Sequence, residues 1–576
     1  MYSKRMAHIH KKIKKGRPYY YIRETARVNG KPKVINQVYL GSIERILTMA
    51  AGGQASLARI QVQEFGALWL ANIIEQEVGL VEIIDSIVPK KDKETGPSIG
   101  EYFLYAAFNR MVDACSKRAM PEWYKATAIQ HIRPVDIDSL DSDRFWKKWN
   151  RVDEEAVRFI AEKFLNKVAE IEPPASDCFL FDTTNYYTYM ASDTDSELAV
   201  RGKNKEGKDW LRQVGLALLV AKDTRLPLFY REYEGNRHDA KLFARVLDEV
   251  LAVMRKHCQG EVTVVFDKGM NAEENISTID AMERVHFVTT YSTYLAEDFI
   301  HVPRERFSFV DTPKNRILAA QGQDDDMLVA WRTAGVFWGK ERTIVVTYNP
   351  LTATKQRYAF ERRLLKLQAA LYEIRTKVRN AAAGWRRQEK IVERYHAVCD
   401  ELHLPQGLYD LSFERESGQL NMGFRKNYYQ IDRHIDRFGK NLIITDHKEW
   451  NTNEIVQASL DRSIVEQSFR QTKDDDLVAM LPIRHFTDDK IRCHILSCIV
   501  ALCYLRLIEN RLHRAGLHIT AATAMERMRK LHSCLCWSVG KKKPLRIIEE
   551  PTPDQTLILK AIGYKVTEGA LQKISP

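Results

Sequence analysis

The sequence has 576 residues, 45% of them hydrophobic and 28% charged, which is longer than one hydrophobic core organises and excludes wholesale disorder. Its 88 Lys and Arg against 76 Asp and Glu leave a formal charge of +12, an excess that favours a polyanionic partner such as nucleic acid. The 9 cysteines include no CxxC pair and read as reduced core thiols, the longest apolar run (Ile495 to Leu505) is too short for a bilayer, and no apolar segment follows the basic N-terminus, so no membrane association and a cytoplasmic location are expected.

At the N-terminus, Lys4, Arg5, Lys11, Lys12, Lys14, Lys15 and Arg17 gather around His8 and His10, a tail that either contacts a polyanion or is simply solvated. Tyr19 to Val28 and Lys33 to Leu40 read as strands around Asn29-Gly30, a dipeptide suited to the φ > 0 positions of a hairpin turn. Residues 1–48 are therefore expected to be a basic tail with a small β unit. Beyond Gly41 and Gly52-Gly53, apolar residues such as Phe65, Leu68, Trp69, Ile73 and Ile74 recur with helical spacing from about Leu57 to Val168. This assigns 49–172 to a helical module.

Cys178 to Phe181 is an apolar strand that ends on Asp182. Leu211 to Ala221 is a second strand, and Asp223-Thr224 turns it into a third, Leu226 to Tyr233. After Gly235-Asn236, the stretch Asp239 to His257 places Leu242, Val246, Leu247, Val250 and Leu251 on one side of a helix. Val262 to Phe266 suits the middle of a sheet and finishes on Asp267. A helix start at Asn271-Ala272-Glu273-Glu274 and a strand at His286 to Thr290 follow. The order β-β-β-α-β-α-β is that of a ribonuclease-H-like core, in which the ends of the first and fourth strands lie side by side; here they carry Asp182 and Asp267.

The fold class expected is thus α/β, a mixed sheet flanked by helices, with 173–292 as the first part of the core. Residues 293–440, with strand-like Arg342 to Tyr348 and a charged helical stretch from Arg357 to His396, read as an inserted domain with a helical hairpin. Its tryptophans, with the neighbouring Trp450, either pack internally or stack on an unpaired base. Residues 441–510 return to the core through the strand Asn441 to Thr445 and a helical segment, from about Asn453-Glu454 or soon after, that carries Glu466. Residues 511–576, with Lys541-Lys542-Lys543, read as a helical C-terminal region.

Phosphodiester cleavage needs an attacking oxygen activated and a leaving oxygen stabilised, and paired divalent ions about 3.5–4 Å apart can do both. Hard ions such as Mg²⁺ take oxygen ligands, so Asp182 and Asp267 at strand ends, with Glu466 from a helix, are candidate ligands for two Mg²⁺ ions, with Mn²⁺ as a substitute. Arg462 precedes Glu466 by four residues and Lys473 follows it by seven, so the three share roughly one helical face. Taken alone, that pattern also fits a salt bridge on a solvated helix.

The sequence resembles the DDE transposases of bacterial insertion sequences, specifically the group with Tyr-x-x-Arg-x-x-x-Glu-x-x-x-x-x-x-Lys. Arg462, Glu466 and Lys473 match that motif and Ser459 replaces its Tyr. Phe-Asp182-Thr-Thr and Val-Val-Phe-Asp267-Lys-Gly-Met are similar to the family's first two acidic motifs, and Glu234 to Asp239 to its loop before the helix. The resemblance runs from about 175 to 510. It implies catalysis by Asp182, Asp267 and Glu466, an insertion between the second Asp and the Glu, and recognition of terminal inverted repeats in double-stranded DNA. It further implies water-dependent nicking and attack of a 3′-hydroxyl on target DNA, with a homodimer in the DNA-bound state. Residues 1–48 and 49–172 become DNA-contacting and DNA-end-binding modules. Arg462 and Lys473 are expected near phosphates, and Lys268 and Lys203 are further candidates by position.

Three other readings compete. A haloacid-dehalogenase-like phosphatase would want a second Asp where Thr184 stands. A transposase retired to DNA binding would not need all three acidic residues, and a stand-alone ribonuclease-H-like nuclease would not need the long flanking and inserted modules.

Overall fold

The computed structural model describes residues 6–14, 17–28, 31–43, 46, 57–191, 194–203, 207–416, 418–538 and 543–574. The Asn29-Gly30 turn, Lys4, Arg5 and Lys15, Gly52-Gly53, and Lys541 and Lys542 lie outside the described residues. Two compact units share the chain: Met1–Pro173, Asn185–Val214 and Ser468–Pro576 make the first, Pro174–Thr184 and Gly215–Gln467 the second.

The first unit opens with an antiparallel sheet of β1 (Met6–Lys14), β2 (Arg17–Val28) and β3 (Lys31–Gly41). The basic stretch expected to be a tail is therefore largely a strand, because His8, Ile9, His10 and their neighbours find partners along Tyr19 to Thr25. The expectation of helix from Leu57 onward is also corrected, since β4 (Leu57–Glu64) precedes α1 (Gly66–Val78). Helices α2 (Ile99–Val112) and α3 (Glu154–Ile171) follow. α2 starts on a reciprocal cap in which the Ser98 hydroxyl accepts from the Glu101 N–H and the Glu101 carboxylate accepts from the Ser98 N–H.

The second unit is built on a sheet that begins with β5 (Cys178–Thr188), β6 (Arg212–Ala221) and β7 (Pro227–Glu234); β5 and β6 run on into the first unit. α4 (Asp239–His257) buries Leu242, Phe243, Val246, Leu247, Val250, Leu251 and Met254 along one stripe. Then come β8 (Val262–Phe266), all five residues buried, α5 (Glu273–Asp280) and β9 (Val285–Tyr291). The spatial order β7-β6-β5-β8-β9, with β5, β8 and β9 parallel, is the ribonuclease-H-like arrangement that the sequence order implied.

Beyond β9 the sheet continues. β10 (Val329–Phe337) and β11 (Lys340–Tyr348) form a hairpin, and β11 pairs with a strand far downstream. Residues 308–348 of the stretch expected as an insert therefore extend the central sheet. The remainder is a satellite: α6 (Pro350–Arg379), α7 (Gln388–Glu401), the hairpin β12 (Tyr409–Glu416) and β13 (Gln419–Lys426), and α8 (Tyr428–Asp436). Phe360, Leu364, Leu367, Leu371, Ile391, Tyr395 and Leu408 give it an apolar core of its own. β14 (Lys440–Thr445) then inserts between β9 and β11, antiparallel to both.

After β14, α9 (Thr452–Asp461) starts on the reciprocal cap of Asn451 and Glu454. α10 (Ser463–Lys473) follows with only Arg462 between them and leaves the second unit at Gln467. Back in the first unit, α11 (Asp488–Arg514) has 27 residues and enough apolar length and composition to cross a membrane, more than its central run suggested. It is instead almost wholly buried, packed on α1, α2 and α3. The expectation of a helical C-terminal region is corrected, because β15 (His532–Ser538) pairs with β4 and with β16 (Leu545–Ile548). A strand whose partner lies almost a whole chain away leaves little local signal.

Candidate active site

β5 and β8 are paired through Cys178 with Thr263, Phe179 with Val264 and Leu180 with Val265. Asp182 and Asp267 each stand two residues beyond the last pair. They therefore come level on neighbouring strands, which a sheet spaces by about 4.8 Å. β8 stops there because Asp267 leads into a short 3₁₀ turn, Lys268–Met270. The Thr290 hydroxyl, at the end of β9, donates to Asp267 Oδ1 at 2.9 Å and accepts from the Lys268 N–H at 3.2 Å. One threonine thus fixes both the carboxylate and the turn behind it.

The third acidic residue arrives on a helix that is itself held to the sheet. Lys222, in the turn between β6 and β7, reaches Asp461 Oδ2 at 2.9 Å, and the Gln457 amide donates to Asp461 Oδ1 at 2.6 Å. Asp461 is buried at the junction of α9 and α10. Burial opposes the charge of Lys222, but the bond and field of Asp461 win and raise its pKa. This clamp sets the first turn of α10, where Arg462 and Glu466 project together.

Arg462 joins the acidic residues. Its Nη1 lies 2.6 Å from Asp267 Oδ1 and its Nη2 lies 3.4 Å from Glu466 Oε1. Burial acts to lower the guanidinium pKa; the fields of Asp267, Asp182 and Glu466 overcome that and raise it. For Asp267, burial acts to raise the pKa, yet the Arg462 charge and the bonds from Lys268 and Thr290 hold it below the ordinary carboxylate value. Asp182 is half-buried, with its Oδ1 accepting from the Thr183 N–H at 2.8 Å.

These donors are oxygen-only and already surround a cation, which suits a hard divalent ion in kind. They are not, however, drawn into a ready cluster: among the described residues no three His, Cys, Asp or Glu side chains are grouped to hold one ion. Here it is the guanidinium that meets the carboxylates.

The family described as transposase DDE domain matches residues 176–505. The chain belongs to that family. A DDE transposase is an enzyme that cleaves and transfers DNA strands, and such enzymes use divalent metal ions. No curated protein is significantly similar to this sequence. Among solved structures, a piggyBac transposase synaptic complex with hairpin DNA is 8% identical, with a TM-score of 0.39 over 82% of each chain.

Of the transposase's other sequence-derived candidates, Lys268 is exposed beside Asp267 in the second unit. Lys473 and Lys203 belong to the first unit. There the Lys473 ammonium lies 5.3 Å from the ring centre of Tyr186, and Lys203, exposed, accepts through its carbonyl from the Gln213 amide at 3.0 Å. Ser459, at the motif's Tyr position, is half-buried on α9. Of the tryptophans in and beside residues 293–440, Trp450 stacks on His447 at 3.7 Å, Trp338 packs edge-on to Phe287 at 6.0 Å, and Trp385 lies beneath the Lys377 ammonium at 5.3 Å.

Sequence reasoning missed a fourth carboxylate. The Thr183 hydroxyl, next to Asp182, donates to Asp239 Oδ1 at 2.9 Å, and Asp239 Oδ2 stands 3.4 Å from where a Cβ on Gly269 would lie. Asp239 therefore lies between Thr183 on β5 and the turn that follows β8. Tyr233 lies beside them; burial and the charges of Asp239 and Asp182 push its pKa up. The Tyr233 ring rests on β6 only because residue 215 is glycine, as a Cβ there would come within 2.2 Å of it. The one sequence signal was the position of Asp239 at the end of the Glu234 to Asp239 loop.

Proposed function

We propose that this transposase cleaves DNA at the terminal inverted repeats of an insertion sequence and joins the freed 3′-ends to target DNA. Asp182, Asp267 and Glu466 would hold two Mg²⁺ ions, for which Mn²⁺ can substitute. The observation that carries the reading is the guanidinium of Arg462, bonded to Asp267, beside Glu466 and in the field of Asp182. Like charges gathered so closely stabilise cations and penalise anything else. Bound divalent ions supply Lewis-acid activation of the attacking oxygen and stabilisation of the leaving one.

The chain's own residues do the rest. The Arg462 charge, the Lys268 N–H and Thr290 keep the Asp267 carboxylate ionised, and Thr290 aims it, while the Lys222–Asp461 clamp fixes the helix start that presents Glu466. Arg462, released from Asp267, is positioned to take a phosphate in bidentate fashion. Lys268, Lys473 and Lys203 are further phosphate contacts. Residues 1–48 and 49–172 grip the element's ends, 173–292 and 441–510 with the sheet strands of 308–348 form the catalytic core around the inserted satellite of 350–436, and 511–576 meets DNA or a second protomer. Holding two ends together calls for a homodimer on DNA, acting in the cytoplasm of a bacterial or archaeal cell.

The test is nicking of the element's end sequence with Mg²⁺ or Mn²⁺ by wild type and by Asp182→Ala. Wild type should nick and then form strand-transfer products, and Asp182→Ala should bind DNA equally but lose cleavage by at least a thousandfold, about 4 kcal/mol of transition-state stabilisation. Binding without nicking by either protein would identify a retired transposase, and cleavage without strand transfer a nuclease.

A further inference from the structure

We infer that the solvent face of α6 is a docking strip for the sugar–phosphate backbone of duplex DNA. The inference rests on the transposase reading and assigns DNA a surface outside the acidic site. α6 carries eight Lys and Arg against two Glu over its 30 residues. Its apolar stripe, Phe360, Leu364, Leu367, Leu371, Ile374 and Val378, is spent on the satellite core. Facing away from that core are Lys355, Arg362 and Lys366, seven and four residues apart and hence in one row at 100° per residue, with Arg363 beside them.

All four are exposed, and among the described residues none has an ion pair, hydrogen bond or ring contact. The other cations of the helix include several that do: Arg357 pairs with Glu361, Arg375 lies on Tyr372 and Lys377 on Trp385. A merely solvated helix face usually intersperses acidic residues at i+4, because a row of like charges destabilises the helix. An unrelieved row suits a polyanion. From Lys355 to Lys366 the helix rises about 16 Å, over which a duplex presents about ten phosphate charges.

Arg363 also lines a cavity of about 530 Å³ shared with Tyr294, His403, Arg437 and Lys440. Arg437 is engaged by Glu297, and Lys440 by Asp436. Among the described residues lining that cavity, Arg363 is thus the Lys or Arg left for a ligand, and it continues the row into a recess where a phosphate can be partly enclosed.

The experiment compares full-length wild type with the quadruple variant Lys355→Gln, Arg362→Gln, Arg363→Gln, Lys366→Gln on a random-sequence duplex. Each phosphate contact contributes about 0.9 to the slope of log K against log salt, so the loss of four cations should make the variant's slope shallower by about 3.6. The charge-preserving Lys355→Arg, Lys366→Arg protein should keep the wild-type slope. An unchanged melting temperature verifies folding. A quadruple variant that keeps the wild-type slope overturns the inference alone, as does loss of self-association or of RNA binding without a change in the duplex slope. Wild type with no salt-dependent duplex binding overturns this inference together with the transposase reading beneath it.

Discussion

Replacing Arg462 by Gln should move two properties in opposite directions. The guanidinium lies 2.6 Å from Asp267 Oδ1, with 23% and 38% of the two side chains exposed. With charge centres about 4 Å apart and an effective dielectric near 20, the bare attraction is about 4 kcal/mol. Solvent at this half-open site screens it, and pairs so exposed contribute about 1 kcal/mol. A divalent ion that needs Asp267 must first displace that partner. Arg462→Gln should therefore tighten Mn²⁺ binding to the DNA-free protein by roughly fivefold, since 1.4 kcal/mol is tenfold, while lowering single-turnover strand cleavage because the phosphate loses its bidentate donor. Calorimetric titration of the DNA-free protein and a nicking assay read the two effects. Unchanged or weaker Mn²⁺ affinity in the variant would refute the idea that the guanidinium competes for the carboxylates.

Two further outcomes follow from buried charges elsewhere. Lys222→Met leaves the buried Asp461 without its cation, which should cost about 1–3 kcal/mol of stability, less than the roughly 3–5 kcal/mol of a fully buried pair because Lys222 is partly exposed; cleavage should fall more than DNA affinity, and equal losses would show that the clamp does not position Glu466. In the first unit, the buried Lys117 amine has no hydrogen-bond partner among the described residues and lies over Phe145 and Trp149, with its pKa pushed down to about 7 by burial. The unfolded chain then holds an extra proton between about pH 7 and 10.4, so this lysine makes wild-type stability rise with pH across that window. Lys117→Met should raise the melting temperature at pH 7, the gain in stability being about 2–4 kcal/mol, and remove this lysine's share of the slope; a destabilised variant would contradict the assignment.

The parts of the fold legible in the sequence were those whose signal is local. Val262 to Phe266 is apolar at every position but Thr263 because both faces of β8 are covered, and Asp239 to His257 repeats apolar residues at helical spacing because one stripe of α4 is. Each announces its own burial. What stayed hidden was pairing across distance. Arg342 to Tyr348 is recognisable as a strand, but nothing in it says that β14, beyond the whole satellite, will be its neighbour. β15 is a harder case, with half-buried positions and a partner at the other end of the first unit.

The same division runs through the site. Two aspartates closing apolar strands, and a glutamate four residues after an arginine, are patterns in sequence. That Arg462 bonds Asp267 rather than only its helical neighbour Glu466 is decided by where the Lys222–Asp461 clamp sets the helix. Asp239 makes the argument from the other side. As the first residue of α4 it has an ordinary place near the positive end of a helix, which would suffice to explain it. Only the closeness of β5 to the turn after β8 turns it into a brace between Thr183 and the Gly269 turn. A residue that is explained locally can therefore still belong to the site, and the criterion that finds it is the register of β5 against β8, which no single stretch of the chain contains.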